Sequence, residues 1–167
     1  LADILRKKSF IAESPEDSLD IQFRLGRLYQ EEINDIDQAI ESYRGIVDSA
    51  PEYSSAISAL ELLFTEGVKR SEIIEILEPL YRTQGEWGRL TGLYEVQVDE
   101  VEDTEDKIGI IQQIAEIFEE KLADQVEAFN WYCRAFATDP FEELSGEEVE
   151  RLAGSTDAWS ELADLYT

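Results

Sequence analysis

Adjacent carboxylates recur along this chain, as Glu31 with Glu32, Glu119 with Glu120, Glu142 with Glu143 and Glu147 with Glu148. Two carboxylates in different environments can divide the work of general acid and general base. These pairs are sequence neighbours, however, and adjacent residues on a helix do not face each other. In a chain with 39 acidic residues they also arise freely, so they read as solvated surface. The run "DEVEDTED" from Asp99 to Asp106 has the charge to attract calcium. It lacks the alternating oxygen ligands and central glycine of a calcium-binding loop. The absence of histidine removes the commonest general base, the serine–histidine and cysteine–histidine pairs and most transition-metal sites. The single cysteine, Cys133, lies between Tyr132 and Arg134 and reads as an inert thiol. Gly85, Gly88 and Gly92 follow no strand and are wrongly spaced for a phosphate-binding loop. Gly85 reads as a turn or helix-start residue, and Gly88 and Gly92 as points of close helix contact. No catalytic, cofactor-binding or metal-ligating residue is assigned, and no cofactor is expected.

The charge balance points the other way, towards a partner. Against the 39 acidic residues stand 14 basic ones, for a net charge of −25. Such a chain repels phosphate backbones and anionic membrane surfaces, and leaves room for a basic partner. With 43% apolar residues and aromatics spread along its length, it can still build a core. No stretch approaches about 18 uninterrupted apolar residues, so no membrane span is expected. The chain begins with leucine and closes on "WSELADLYT", which reads as a helix cut off midway and therefore as part of a longer protein.

What would position a binding surface is a repeat. Sliding the sequence by 89 superimposes Ile21 on Ile110, Glu31 on Glu120 and Asp35 on Asp124, then Ala39 on Ala128, Tyr43 on Tyr132 and Pro51 on Pro140. A second echo, at a spacing of 72, sets "WGRLTGLY" from Trp87 against "WSELADLY" from Trp159. Apolar residues at Ile21, Leu25, Leu28 and Tyr29, and again at Ile40, Tyr43 and Val47, follow the period of a helix face, and strict alternation is nowhere sustained. The spacing predicts helices over 2–12, 17–33, 36–49, 52–66, 71–83, 86–101, 105–122, 125–138, 145–154 and 157–166. Asn34 and Asp35 supply a turn and an N-cap, and Pro51 and Pro140 can begin helices. Pro79 predicts a kink or early break. The 99–106 run is the most mobile connection expected, because its carboxylates repel one another. Small residues Gly26 and Ala39, and Ala115 and Ala128, mark where paired helices approach closely, with Tyr29, Tyr43, Phe118 and Tyr132 filling the space beside them.

This pattern resembles the tetratricopeptide repeat (TPR), in a divergent form closer to bacterial members than to the regular eukaryotic type. Leu25, Gly26, Tyr29, Ala39, Tyr43 and Pro51 match the repeat's pattern, with Ile46 replacing its last alanine. Ile114, Ala115, Phe118, Ala128, Tyr132, Ala135 and Pro140 match in the second copy. Trp87, Leu90 and Tyr94, and Trp159, Leu162 and Tyr166, match its opening half. Each good copy carries one extra residue between its helices, and 52–83 fits loosely. The resemblance implies an all-α fold, a right-handed αα-superhelix of antiparallel hairpins running as one array over 1–167. Its clearest units are 18–51 and 107–140, with half-units starting near 87 and 159.

The resemblance also implies a place for a ligand, since the first helix of each TPR unit lines a groove that takes an extended peptide. Carried over residue by residue, the groove positions are Phe23, Arg27 and Gln30 in the first copy and Gln112, Glu116 and Glu119 in the second. The lysines and asparagines by which one TPR subclass clamps a terminal carboxylate are missing. Trp87 and Trp159 hold the repeat's tryptophan position and are expected in the core. Trp131 holds no such position and is a surface candidate. The expected function is a non-catalytic protein-interaction scaffold for a basic protein or peptide, with no nucleic acid and no membrane insertion. The alternative is a structural or self-associating array, a homo-oligomer among its forms, that supports a neighbouring domain.

Overall fold

The computed structural model describes residues 14–165 together with Ala2, Ile4 and Leu5, and among these residues it holds helices and no strand. They fall into two compact units, 1–80 and 81–167. The first contains α1 (Pro15–Leu28), α2 (Ile36–Ser49) and α3 (Ser54–Thr65). The boundary between the units falls within α4 (Arg70–Gln84). The second contains α5 (Trp87–Glu100), α6 (Thr104–Glu120), α7 (Gln125–Thr138), α8 (Glu143–Thr156) and α9 (Trp159–Leu165). Most of the helix expected over 2–12, and Tyr166 at the end of the last one, lie outside the described residues.

Helix starts are written in side chains. Ser14 accepts the Asp17 N–H at 3.0 Å ahead of Pro15, the first helical residue of α1. Asp35 accepts the Gln38 N–H at the head of α2, and Asp124 the Glu127 N–H at the head of α7. Asp103 accepts two N–H groups of α6, those of Glu105 and Asp106. The acidic 99–106 run is thus mostly helix, with a three-residue link whose last member is the cap. Pro51 and Pro140 sit in turns, and the helices after them begin at Ser54 and Glu143. Pro79 does not break α4, which continues to Gln84. Leu77, Leu80 and Tyr81 are buried on either side of it, and their burial holds the helical path that the missing N–H weakens.

The 89-residue spacing is carried by the backbone. Helices α1, α2 and α3 start at Pro15, Ile36 and Ser54, and α6, α7 and α8 start at Thr104, Gln125 and Glu143. The extra residue between paired helices is absorbed in the same way twice. In the first copy the helix widens into a π-helical turn, Tyr29–Ile33, and reverses at Asn34 with φ 58°. In the second, Ala123 takes the reversal at φ 55°. The Asp35 N–H then reaches the Tyr29 carbonyl at 2.9 Å, and the Asp124 N–H reaches Phe118 at 2.8 Å. Asparagine tolerates this left-handed geometry, whereas Ala123 adopts it against its preference. The equivalence extends into the loosely matching segment. Leu60 and Leu63 of α3 are buried, as are Val149 and Leu152 at the same places in α8.

Within each unit the helices pack in chain order, α1 on α2 and α2 on α3, then α5 on α6, α6 on α7, α7 on α8 and α8 on α9. Ala39 and Ala128 are fully buried. Gly26 has no room for a side chain, since a Cβ there would stand 2.5 Å from Cε1 of Tyr43. Gly88 and Gly92 behave differently from expectation, because a Cβ at either would meet nothing within 4 Å. Gly85 follows the last residue of α4 with φ 71°, the helix-ending geometry glycine accepts most readily. Because Ala128 fills its space, Ala128→Leu overpacks the α6–α7 contact. Urea unfolding should show a loss of about 1–3 kcal/mol. An unchanged midpoint would mean that the site has space and the packing described here is wrong.

Candidate functional site

The six first-helix positions expected to line a ligand groove do not stand free together. Phe23 is half-buried, with its ring centroid 5.7 Å from that of Tyr43 and 5.9 Å from that of Tyr53. Gln30 accepts the Tyr43 hydroxyl at 2.9 Å. Burial, and then the Glu31 carboxylate, push that phenol up to about 12, so it remains a donor at any ordinary pH. In the second copy, Gln112 donates to Glu142 Oε2 at 2.8 Å and to the buried Ser145 Oγ at 3.0 Å. Glu119 receives Arg151 at 2.8 and 2.6 Å. The same guanidinium also reaches Glu148 through Nε at 2.8 Å. These two carboxylates hold the Arg151 proton more firmly than usual. Phe23, Gln30, Gln112 and Glu119 therefore fasten one helix to another.

Arg27 and Glu116 remain exposed. Arg27 forms a two-pronged pair with Glu31, at 2.9 and 3.0 Å, four residues along the same surface. Glu116 lends negative charge to the side of Tyr132, whose phenol is pushed up by burial and then by Glu148 and Glu116. Trp131 is half-buried against the α7–α8 core, with the Arg134 guanidinium 4.9 Å from its ring centroid. Trp159, expected in the core, is instead 55% exposed on the short helix α9. Trp87 is half-buried beneath the Lys121 ammonium, 5.8 Å from its ring centroid. Burial raises the Cys133 thiol to about 11, which keeps it protonated at neutral pH.

An opening that the sequence did not announce lies in the second unit. It is a groove of about 920 Å³ lined by the end of α5, the first turns of α6 and the α7–α8 connection. Gln97 and Val101 come from the first, Glu105, Asp106 and Ile108 from the second, Asp139 and Glu142 from the third. The first unit has a counterpart of about 380 Å³, lined by Glu16, Leu19, Asp20, Ala50, Glu52 and Tyr53. Displaced by 89, five of those six positions line the larger groove as Glu105, Ile108, Gly109, Asp139 and Glu142. In the smaller one, Tyr53 donates to Asp20 at 2.7 Å across the space. In the larger, Gly109 and Glu142 stand at the places of Asp20 and Tyr53. A Cβ on Gly109 would touch nothing within 4 Å.

Glu142 belongs to the groove wall and to the helix start at once. It accepts the N–H groups of Leu144 at 3.0 Å and Ser145 at 2.7 Å, besides the Gln112 amide. Burial alone would raise its carboxyl, but hydrogen bonds from Ser145, Leu144 and Gln112 outweigh it and hold the group below the usual carboxylate range.

No protein-family model matches this chain, and a search of curated proteins gives no match.

Because the folded state depresses the Glu142 carboxyl, its stabilisation is present above the unfolded value and is lost as pH falls through the folded one. Glu142→Ala should cost about 1 kcal/mol at neutral pH through loss of the cap. The gap between parent and variant should close as pH falls below the ordinary glutamate value of about 4.3. Urea titrations of both proteins across pH check this, and a gap that stays constant down to strong acid contradicts it.

Proposed function

We propose that this chain is a non-catalytic protein-interaction scaffold, built from TPR-like hairpins in a right-handed array, that binds a basic protein or peptide segment. The observation that carries the reading is the 89-residue recurrence of three helices, with the same starts and the same left-handed reversal. Repetition of a helical module, each copy leaving faces for a neighbour and for a partner, is the design of repeat proteins that bind extended segments. The charge supplies the polarity of the partner. A net charge of −25 attracts cationic segments before contact and repels acidic competitors. No described helix is long and apolar enough to cross a membrane.

The charges also indicate which substitution tests the first-helix face. Reversing Glu119 would break its ion pair with Arg151 and disturb a helix contact, so its effect on binding could not be separated from folding. Glu116 is exposed and free of that complication. If the face bearing Glu116 contributes, Glu116→Lys should weaken binding of an oligolysine peptide by a few-fold at about 0.01 M salt. The difference should fade at about 0.15 M, where the Debye length falls to about 8 Å. Fluorescence anisotropy titrations with unchanged helix content measure it. Failure of the parent to bind oligolysine at low salt would contradict the basic-segment reading.

A further inference from the structure

The second unit's groove combines three properties of a docking surface. It is open and about 920 Å³ in volume, within the range of about 300–1,000 Å³ typical of ligand clefts. Its wall mixes apolar side chains, Val101 and Ile108, with the amides of Gln97 and Gln113, which can bond a peptide backbone. In the chain, Phe141, 90% exposed, falls between the lining residues Asp139 and Glu142. The Phe141 backbone is held in place, since its N–H donates to Asp139 Oδ1 at 2.9 Å. A phenyl ring held out to water on a fixed turn is costly to leave uncovered and well placed to anchor a partner.

Charge selects the occupant. The groove's ionisable lining groups are all carboxylates, Glu105, Asp106, Asp139 and Glu142. Glu142 is engaged by its own helix start and by Gln112, and Asp139 by the turn. Glu105 and Asp106 are exposed, and no described cation pairs with them. Resting on the interaction reading above, we propose that this groove docks a basic segment of a partner protein in which lysine or arginine alternates with apolar residues. Glu105 and Asp106 receive the cations, and Phe141 packs against the apolar side chains. The smaller counterpart in the first unit, about 380 Å³, has its Tyr53 hydroxyl and Asp20 carboxylate engaged with each other, so the larger groove of the second unit is the one assigned.

The test uses the whole chain and a fluorescein-labelled peptide, Lys-Leu-Lys-Gly-Lys-Phe-Lys-Gly, with two comparison peptides. One replaces its lysines by glutamate, the other its Leu and Phe by serine. Glu105→Gln combined with Asp106→Asn should weaken binding of the parent peptide by about tenfold at about 0.01 M salt, and Phe141→Ser by a similar factor. A control with the same change of charge elsewhere, Glu41→Gln with Glu75→Gln, should weaken it by less than about twofold. The serine peptide should bind more weakly than the parent peptide and should be indifferent to Phe141→Ser. Circular dichroism confirms that each variant remains folded. If the parent protein does not bind the lysine peptide, the basic-segment reading fails and the groove proposal falls with it. If it binds but the groove and control variants weaken it equally, the groove assignment alone is overturned.

Discussion

Tyr43 lies against a helix that has no side chain to keep it away. A single methyl group on Gly26 would stand 2.5 Å from its ring, so the α1–α2 contact depends on bare backbone at that point. From this contact the rest of the first copy follows. The ring brings its hydroxyl to Gln30 and packs at a tilt against Phe23, and Phe23 in turn meets Tyr53 at the head of α3. An aromatic chain thus links the paired helices to the helix that follows. Each ring pair contributes about 0.5–1.5 kcal/mol beyond the area it buries, so the chain sets register while the apolar core supplies most of the stability.

The second copy solves the same problem with different chemistry. Ala115 stands where Gly26 was and is fully buried, and the link onward is polar. Gln112 reaches Glu142 and Ser145, and Glu119 reaches Arg151. Half-exposed ion pairs are worth about 0.2–1 kcal/mol, but in a chain with 14 cations and 39 anions each cation placed between carboxylates also relieves repulsion. Ion-paired cations, among them Arg134 with Asp99 and Lys69 with Asp37, serve this purpose in both units. In the larger groove the places of Asp20 and Tyr53 are held by Gly109 and Glu142.

Helix content and boundaries were legible because their causes are local. Asp35 and Asp124 cap the helices they precede, Asn34 makes the reversal, and Ala39 and Ala128 are buried where period and residue size place them. The surroundings of the expected groove positions were less legible, because a repeat pattern marks which helix face a residue occupies and not what that face touches. Phe23, Gln30, Gln112 and Glu119 fall on the marked face, and each meets an internal partner. The scarcity of cations was a usable signal for Glu119, since an arginine 32 positions away was available to it. Trp159 matches Trp87 in pattern but is exposed, so an echo of four residues did not establish an environment. The groove was hidden for a different reason. Val101, Glu105, Asp139 and Glu142 come from three separate stretches, and only packing brings them together.

First-helix residues tie each copy to its third helix through equivalent places, Phe23 to Tyr53 and Gln112 to Glu142. Nuclear Overhauser measurements on the isotopically labelled chain test it most directly. Cross-peaks are expected between the Phe23 and Tyr53 rings, and between the Gln112 side-chain amide and the Ser145 β-protons. Their absence from both copies, with the helices otherwise intact, would contradict it.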